Sequence, residues 1–302
     1  MKIIISGLGR MGTQIAKKLH EDEHIVIAHN RSKDSIDEMK SLGMIPAYTK
    51  EEALINFKEG EKVIVWMMVP ADVVEKELDD WLKIIPQNSI LIDGGNSDYR
   101  ETKKHNEKVL KAGSILMDVG TSGGIWGYQN GFSMMIGGDM EIFKIIEPIF
   151  KTLEKPTGAY RYFGEGGAGH YVKMVHNAIE YGMMESLAEG YRLLKEGPYK
   201  NLDLVSIGEV WQKKSVITSW LNELTVNALK DNRELKDIEG KVVESGEARF
   251  ALETAKEFKI EMPSIESAFN VRIESQKGKI NFATKLLASM RNQFGGHNIN
   301  GK

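Results

Sequence analysis

The sequence contains no cysteine at all. It therefore excludes a disulfide framework, a zinc site built from thiolates and a cysteine nucleophile. A chain of this kind fits a reducing compartment, and we expect the cytoplasm. The chain begins Met1-Lys2 and passes directly into the apolar run Ile3 to Ile5, so we also expect no signal peptide.

Long hydrophobic runs and an excess of one charge are missing as well. The longest apolar run, Val63 to Ala71, contains Pro70 and falls far short of the roughly 20 residues that a membrane span needs. The 40 basic and 43 acidic side chains leave a net charge of −3, and neither sign forms long blocks. A surface that binds a polyanion would need such a block. We therefore expect neither a membrane protein nor a nucleic-acid-binding protein.

What the sequence does contain is enough chain for two domains, since 302 residues is about twice the usual domain length. In the first half, short runs rich in β-branched residues alternate with segments of helical periodicity. This alternation predicts βαβ units and a parallel sheet, that is, a doubly wound Rossmann-type α/β domain. The predicted strands are 2–6, 25–28, 63–69, 89–92, 114–119 and 132–136.

The second half is predicted to be all helix. After the glycine cluster at 164–169 the β-rich runs stop, and stretches such as 171–195 and 242–258 show helical spacing of apolar residues. We therefore predict a dinucleotide-binding domain over 1–166 and an all-α substrate-binding and dimerisation domain over 167–302.

A glycine-rich turn directly follows the first predicted strand. It has the G-x-G-x-x-G spacing and opens a helical run. In a Rossmann fold the first glycine permits a tight turn, the second lets the backbone approach a pyrophosphate, and the third packs the helix on the strand. A plain tight turn could also use three glycines. The residues predicted to bind a dinucleotide here are Gly7, Leu8, Gly9, Arg10, Met11 and Gly12.

The end of the second predicted strand bears on the choice between NAD and NADP. An acid at this position would bind the ribose of NAD, whereas an arginine accommodates the 2′-phosphate of NADP. Here the strand is followed by Asn30, Arg31 and Ser32, which offer a guanidinium and a hydroxyl but no carboxylate. We predict NADP, with NAD as the alternative because Asp34 lies close by. A solvated loop arginine before an N-cap serine would give the same sequence.

Two further polar loops follow predicted strands. Asp93-Gly94-Gly95-Asn96-Ser97 and Thr121-Ser122-Gly123-Gly124 combine flexible backbone with short hydrogen-bonding side chains. In a doubly wound sheet such loops face the cofactor crevice, where they could hold a polyhydroxylated ligand. Ordinary turns use the same residue types, so both interpretations stay open.

A stripe of polar side chains follows the glycine cluster. Lys173, His176, Asn177, Glu180 and Tyr181 fall at i, i+3, i+4, i+7 and i+8 and so share one face of a helix. An ordinary surface helix shows the same spacing. This stripe, however, mixes an amine, an imidazole, an amide, a carboxyl and a phenol, which together suit proton transfer, and it begins beside the predicted domain boundary. It matches no zinc motif, and we predict no metal.

Taken together, these segments resemble the decarboxylating 6-phosphogluconate dehydrogenases of the pentose phosphate pathway. The combination of D-G-G-N-S with K-M-V-H-N-x-x-E-Y is specific, whereas G-x-G-x-x-G is widespread. The chain is similar to the short form of the family, because better-known members have an extended helical domain. The segments that carry the resemblance are Gly7 to Gly12, Asp93 to Ser97, Ser122 to Gly124, Gly169 to Asn177 and Phe294 to His297.

The resemblance implies that C3 of 6-phosphogluconate is oxidised by NAD(P), that C1 leaves as CO2 and that ribulose 5-phosphate forms. It implies that Lys173 is the general base and that Glu180 is the acid that protonates the enediol carbon. The residues implied to hold the sugar acid are Asn96, Ser122, Gly123, Gly124, His176 and Asn177, and those implied to bind its phosphate are Tyr181 and Arg272. The cofactor is also expected to contact Met68, Val69 and Asn96.

The resemblance also has implications for assembly. Arg291 and His297 match tail residues that reach the site of a second subunit, which implies a homodimer or a tetramer built from dimers. A frayed terminus is the simpler explanation of the Asn- and Gly-rich segment from Asn292.

Two other functions stay open. The related 3-hydroxyisobutyrate-type dehydrogenases share the glycine loop, a helical second domain and a lysine and asparagine spaced like Lys173 and Asn177, but they lack D-G-G-N-S. A non-catalytic dinucleotide-sensing module would need the glycine loop but neither proton-transfer side chain.

Overall fold

The computed structural model describes residues 1–299. The chain forms two compact units, the first over Met1–Met174 and the second from Val175 onward. The change from one unit to the next falls inside a long helix, whereas the sequence places a domain boundary at 166/167. None of the helices in the described part of the chain is long and apolar enough to cross a membrane.

The first unit is built on one eight-stranded sheet. Its strands are β1 (Lys2–Ser6), β2 (Ile25–His29), β3 (Ile45–Ala47), β4 (Ile64–Met67), β5 (Ile90–Asp93), β6 (Ile115–Ser122), β7 (Ser133–Gly137) and β8 (Ala159–Gly164). They lie in the order β3-β2-β1-β4-β5-β6-β7-β8, and neighbours are parallel except β6 and β7. This confirms the predicted Rossmann-type α/β fold.

Helices cover both faces of the sheet. They are α1 (Arg10–Glu21), α2 (Lys33–Ser41), α3 (Lys50–Leu54), α4 (Val74–Leu82), α5 (Tyr99–Lys111), α6 (Gly127–Asn130) and α7 (Met140–Leu153). Because successive residues of a strand point to opposite faces, Ile3 and Ile5 pack with α1, α2 and α7, while Ile4 packs with α3, α4 and α5. All three isoleucines are fully buried, which explains why β1 is such a clear apolar run in the sequence.

The sequence missed two strands and the direction of a third. β3 and β8 are the edges of the sheet; β3 has three residues including Pro46, and β8 buries no side chain completely, so neither forms an apolar run. The prediction of a purely parallel sheet was wrong at β7. Only residues 123–132 join it to β6, and a parallel connection needs a crossover of about a dozen residues or more.

The second unit is helical, as predicted. The long helix α8 (Ala168–Glu196) begins in the first unit and continues into the second. The others are α9 (Leu204–Trp211), α10 (Trp220–Asp231), α11 (Glu247–Glu257), α12 (Pro263–Gln276) and α13 (Phe282–Gly295). The helical spacing over 242–258 predicts a helix from residue 242, but α11 begins five residues later, at Glu247. The residue before it, Gly246, has a φ of 104°, which is not a helical conformation.

The tail is folded at least as far as the structure describes it. Helix α13 starts at a capping box on Asn281 and runs past Asn292 to Gly295. The ring of Phe294 packs against Trp220 at a centroid distance of 6.4 Å, and Asn292 Nδ2 donates a hydrogen bond to the carbonyl oxygen of His297. The frayed-terminus interpretation is therefore wrong for residues 292–297.

A buried histidine in the first unit predicts a pH dependence of stability. His24 Nε2 lies 3.0 Å from the Thr152 hydroxyl, and burial lowers the pKa of His24 from 6.5 to about 4. The unfolded chain therefore binds a proton that the folded chain does not, and stability is lost as the pH falls from about 6.5 towards 4. At pH 5 this corresponds to about 2 kcal/mol.

We expect a His24→Gln variant to show a smaller decrease in Tm than the wild type between about pH 7.5 and pH 5, by several degrees. Burial also lowers the pKa of His29 and His105, but these contribute equally to both proteins. The measurement is a thermal melt at each pH. Equal decreases in Tm would show that His24 is not the group responsible.

Candidate active site

The glycine loop lies between the carboxyl ends of β1 and β4, where the strand order of the sheet reverses. Gly7 has a φ of 103°, and a Cβ there would lie 2.5 Å from the carbonyl oxygen of Met68. A Cβ on Gly12 would lie 2.0 Å from the carbonyl oxygen of Gly7. A Cβ on Gly9, by contrast, would meet no atom of the described residues within 4 Å. The loop therefore packs tightly against protein at Gly7 and Gly12 but has free space beside Gly9, where α1 begins. A pyrophosphate at the helix N-terminus would fit this space.

The three residues predicted to contact the cofactor after β2 differ in exposure and in hydrogen bonding. The side-chain oxygen of Asn30 accepts a hydrogen bond from the backbone amide of Leu8, so Asn30 braces the glycine loop. Arg31 is exposed. Ser32 occupies the N-cap position of α2, yet its side chain makes no capping hydrogen bond, and Asp34 is exposed in the first turn of that helix. The arrangement of an exposed arginine before an N-cap serine is therefore present, and the choice between NADP and NAD stays a prediction.

The loop after β5 is organised by Asp93. Its buried carboxylate accepts hydrogen bonds from the backbone amide of Gly95 at 3.1 Å and from the hydroxyl of Ser97 at 2.7 Å. The position of a Cβ on Gly95 is 3.2 Å from the carbonyl oxygen of Val69, which brings this loop next to the end of β4. Asn96 is left exposed at the tip of the turn. Asp93 thus shapes the turn and leaves the Asn96 side chain accessible.

Lys173 lies against the last part of β6. A Cβ on Gly120 would be 2.3 Å from Cβ of Lys173, so only a glycine lets the lysine cross the strand here. Ser122, Gly123 and the rest of the predicted sugar-acid loop follow directly along the chain. The Lys173 side chain is 5% exposed. The first unit therefore brings the predicted base beside one of the two predicted substrate loops.

The start of α8 is held by a buried acid that sequence reasoning missed. The Asp118 carboxylate, which is fully buried in β6, accepts hydrogen bonds from the backbone amides of Gly167 at 2.8 Å and His170 at 2.9 Å. His170 Nδ1 also lies 2.8 Å from the Thr102 hydroxyl. These contacts orient the first turn of the helix that carries Lys173. The available signal was a single acid inside the apolar run 115–119.

In the second unit, α8 contributes Asn177 and His176. Asn177 is buried, and its Nδ2 donates to Glu247 Oε1 at 2.9 Å, while His176 Nδ1 lies 2.9 Å from Asn177 Oδ1. The hydroxyl of Tyr181 accepts a hydrogen bond from the backbone amide of Ser245 at 3.1 Å. Ser245 in the loop before α11 and Glu247 at the start of α11 therefore contact the polar face of α8. Sequence reasoning did not identify Glu247 or Ser245.

Two buried arginines lie beside Tyr181. The guanidinium of Arg272 stacks 3.2 Å from the centre of the Tyr181 ring and is 2% exposed, and Arg291 is 8% exposed. Burial lowers the pKa of Arg272 to about 10 and lowers that of Arg291, while nearby Tyr181, Glu180 and Glu247 oppose the shift at Arg291. The positive charge of Arg291 also lowers the pKa of Arg272, so the two guanidinium groups are close enough to repel each other. Because buried cations are normally paired, this pair is suited to an anionic ligand.

Two further features complete the second unit. The ring of His297 packs edge-on against Phe294 at a centroid distance of 6.3 Å. Glu185 of α8 is buried as well, and its burial raises the pKa of its carboxyl to about 7. Sequence reasoning missed Glu185, since glutamate on a long helix is ordinarily exposed. Within residues 1–299 no group of three or more histidines and acids is placed to hold a metal.

Two family models match the chain. Residues 2–164 match the NAD-binding domain of 6-phosphogluconate dehydrogenase, and residues 169–300 match the C-terminal domain of the same enzyme. The Bacillus subtilis protein YqeC, named only provisionally as a 6-phosphogluconate dehydrogenase, is 36% identical, and the match covers 98% of each chain. A Haloferax volcanii 6-phosphogluconate dehydrogenase, described as NAD(+)-dependent and decarboxylating, is 32% identical over 99% of this chain and 98% of its own length.

Solved structures show the same fold. A Plasmodium falciparum 6-phosphogluconate dehydrogenase, described with its cofactor NADP+ and its substrate, superposes with a TM-score of 0.78 at 26% identity, covering 96% of this chain and 70% of its own. A Mycobacterium tuberculosis 3-hydroxyisobutyrate dehydrogenase gives a TM-score of 0.75 at 17% identity, covering 96% and 99%. The second likeness concerns the fold alone. Together with the glycine loop, these matches support a nicotinamide dinucleotide as the cofactor.

Proposed function

We propose that this chain oxidises and decarboxylates 6-phosphogluconate to ribulose 5-phosphate and CO2, because it belongs to the 6-phosphogluconate dehydrogenase family. The membership confirms the resemblance seen in the sequence, and the chain is an oxidoreductase of that family. The observation that carries the proposal is the pair of buried arginines, Arg272 and Arg291, beside Tyr181. A phosphorylated sugar acid has the dianion that this pair would bind, and a hydroxyisobutyrate does not.

In this proposal Lys173 and Glu180 move the protons. When bound, the nicotinamide dinucleotide would accept the hydride from the carbon that is oxidised. Lys173 must be neutral at the start, takes the proton of the 3-hydroxyl, and as an ammonium then polarises the keto oxygen while C1 leaves. Glu180 afterwards protonates the enediol carbon. The two side chains are seven residues apart on α8 and so lie on one face of the helix.

The other predicted residues bind and orient the substrate. The sugar acid could be held by the Ser122 hydroxyl at the end of β6, by the glycine backbone that follows it and by the exposed amide of Asn96. His176 and Asn177 suit its hydroxyl groups. Tyr181 and His297 would join the two arginines at the phosphate. We also propose a homodimer or a tetramer of dimers, which the resemblance supports.

The deciding experiment is an assay of the purified protein with 6-phosphogluconate, gluconate and 3-hydroxyisobutyrate, each with NAD and with NADP. We expect reduction of the cofactor and release of CO2 with 6-phosphogluconate. Activity restricted to 3-hydroxyisobutyrate would instead establish the second candidate function, which the fold and the Lys173 to Asn177 spacing favour. Dinucleotide binding without turnover of any of the three would indicate a sensing module.

We propose NADP as the preferred cofactor, since exposed Arg31 and Ser32 follow β2 and no acid does. Arg31→Asp should remove a charge-assisted contact and add repulsion, which together are worth about 2 to 4 kcal/mol against the 2′-phosphate. We therefore expect kcat/KM for NADP to fall about 30-fold or more, with little change for NAD. The control is Lys40→Asp, which makes the same charge change at an exposed residue in the last turn of α2. A wild type that prefers NAD would contradict the proposal.

A further inference from the structure

Glu247 is a buried acid of which only one carboxylate oxygen has a hydrogen-bond partner among residues 1–299. It opens α11, is 5% exposed, and accepts a hydrogen bond from Asn177 Nδ2 at 2.9 Å through Oε1. Its Oε2 is buried and has no hydrogen-bond partner among residues 1–299. An unsatisfied buried oxygen destabilises a fold. A residue kept only to stabilise the helix would not leave that oxygen unsatisfied.

The contact on Oε1 determines the orientation of the Asn177 side chain. A carboxylate accepts hydrogen bonds and does not donate them, so the NH2 group of Asn177 must face Glu247. The carbonyl oxygen of the same amide then faces His176, whose Nδ1 lies 2.9 Å away. Without the carboxylate, the amide could turn over and present its NH2 group to the ring instead.

This orientation in turn selects one form of the imidazole. Facing a carbonyl oxygen, His176 Nδ1 must carry the hydrogen and donate it, which leaves Nε2 as the acceptor in the neutral ring. A neutral histidine in water favours the opposite tautomer. The hydrogen-bonded series from Glu247 through Asn177 to His176 therefore determines which nitrogen of the His176 ring can accept a hydrogen bond from a hydroxyl.

We propose that Glu247 is a positioning residue that orients the Asn177 amide and, through it, holds His176 in the Nδ1–H tautomer for binding the sugar acid. The role in substrate binding rests on the function proposed above. The charge of Glu247 is offset by Arg291, which lies within its electrostatic reach in the same unit. Arg291 thus makes a buried carboxylate tolerable at this position.

The first test reads the tautomer directly and needs no substrate. With histidine labelled with nitrogen-15, and the His176 signals assigned from a His176→Gln variant, the two ring nitrogens are distinguished by their chemical shifts at a pH where the ring is neutral. We expect a protonated Nδ1 in the wild type, and a shift towards the Nε2–H form in Glu247→Ala. Glu247→Gln keeps the side-chain volume but can present either oxygen or NH2, so it should give a mixture. An unchanged tautomer in both variants would overturn the proposal.

The second test is kinetic. We expect Glu247→Ala to lower kcat/KM for 6-phosphogluconate about 30-fold, and the double variant with Asn177→Ala to be no worse than Asn177→Ala alone, because the acid acts through the amide. The matched control is Thr254→Val, which removes a buried hydroxyl from the same helix and should stay within about twofold of the wild type. Equal effects of Glu247→Ala and Thr254→Val would reject the positioning role while leaving the proposed function intact. If the wild type does not oxidise 6-phosphogluconate, the proposed function fails, and the tautomer measurement alone decides on Glu247.

Discussion

Lys173→Met is expected to lower turnover by about 10³-fold or more and to leave nucleotide affinity nearly unchanged. General acid–base catalysis contributes about 10² to 10⁴-fold, and here the lost group also polarises the keto oxygen. Nucleotide affinity should survive because Lys173 packs on Gly120 of β6, whereas the glycine loop follows β1. The measurements are steady-state cofactor reduction and a binding titration with the dinucleotide. Near-normal turnover of Lys173→Met would refute the assignment of the base.

Glu180→Gln should have an equally large effect on turnover but at a different step. If Glu180 protonates the enediol only after CO2 has left, the variant still transfers hydride once. We therefore expect a burst of reduced cofactor close to one equivalent per site, followed by very slow turnover, whereas Lys173→Met shows no burst. The controls are Lys195→Met and Glu189→Gln, which change the same residue types elsewhere on α8. A missing burst in Glu180→Gln would place this carboxyl before decarboxylation.

The parts of this fold that the sequence predicts are those with a strong local pattern. β1 is a run of three fully buried isoleucines followed by the glycine loop, so strand, turn and helix are all visible within twenty residues. The polar stripe of α8 is visible for a similar reason, since it repeats with the helical period. Edge strands β3 and β8 were missed because they bury little.

The supporting acids of the candidate site could not be predicted in the same way. Asp118 and Glu247 are single carboxyls whose partners lie about 50 and 70 residues away in the sequence, at Gly167 and Asn177. Their roles depend on which distant segments the fold brings together. Neither composition nor local spacing predicts those contacts. The sequence instead predicts side chains whose spacing along one helix is itself the signal.

The position of Arg291 within its own chain bears on the assembly that the resemblance implies. The sequence-based hypothesis has the tail reach a neighbouring subunit. In the structure Arg291 is buried within its own chain, close enough to Tyr181, Glu180 and Glu247 for their charges to act on it. Arg272 stacks on the same tyrosine ring. One chain therefore contains both guanidinium groups of the proposed phosphate site.

Arg291→Ala is accordingly expected to weaken 6-phosphogluconate binding about 10² to 10³-fold, because a buried guanidinium binds phosphate through charge-assisted hydrogen bonds in a site with little competing water. Gluconate, which has no phosphate, should bind the variant and the wild type alike. Arg249→Ala, at an exposed arginine of α11, is the control. The measurement is a calorimetric titration with each ligand. Equal losses for both ligands would show that Arg291 does not contact the phosphate.

A mixture of two impaired variants, assayed at a 6-phosphogluconate concentration too low to saturate Arg291→Ala, tests which chain the arginine serves. Lys173→Met and Arg291→Ala are co-refolded so that mixed oligomers form. If Arg291 acts within its own chain, as its position beside Tyr181 indicates, every site in the mixture carries one defect, and we expect no recovery of activity. If the tail instead completes the neighbouring subunit's site, each mixed dimer contains one site with both residues intact, and a substantial part of the wild-type activity should return. Recovery would thus restore the sequence-based hypothesis and require α13 to exchange between chains.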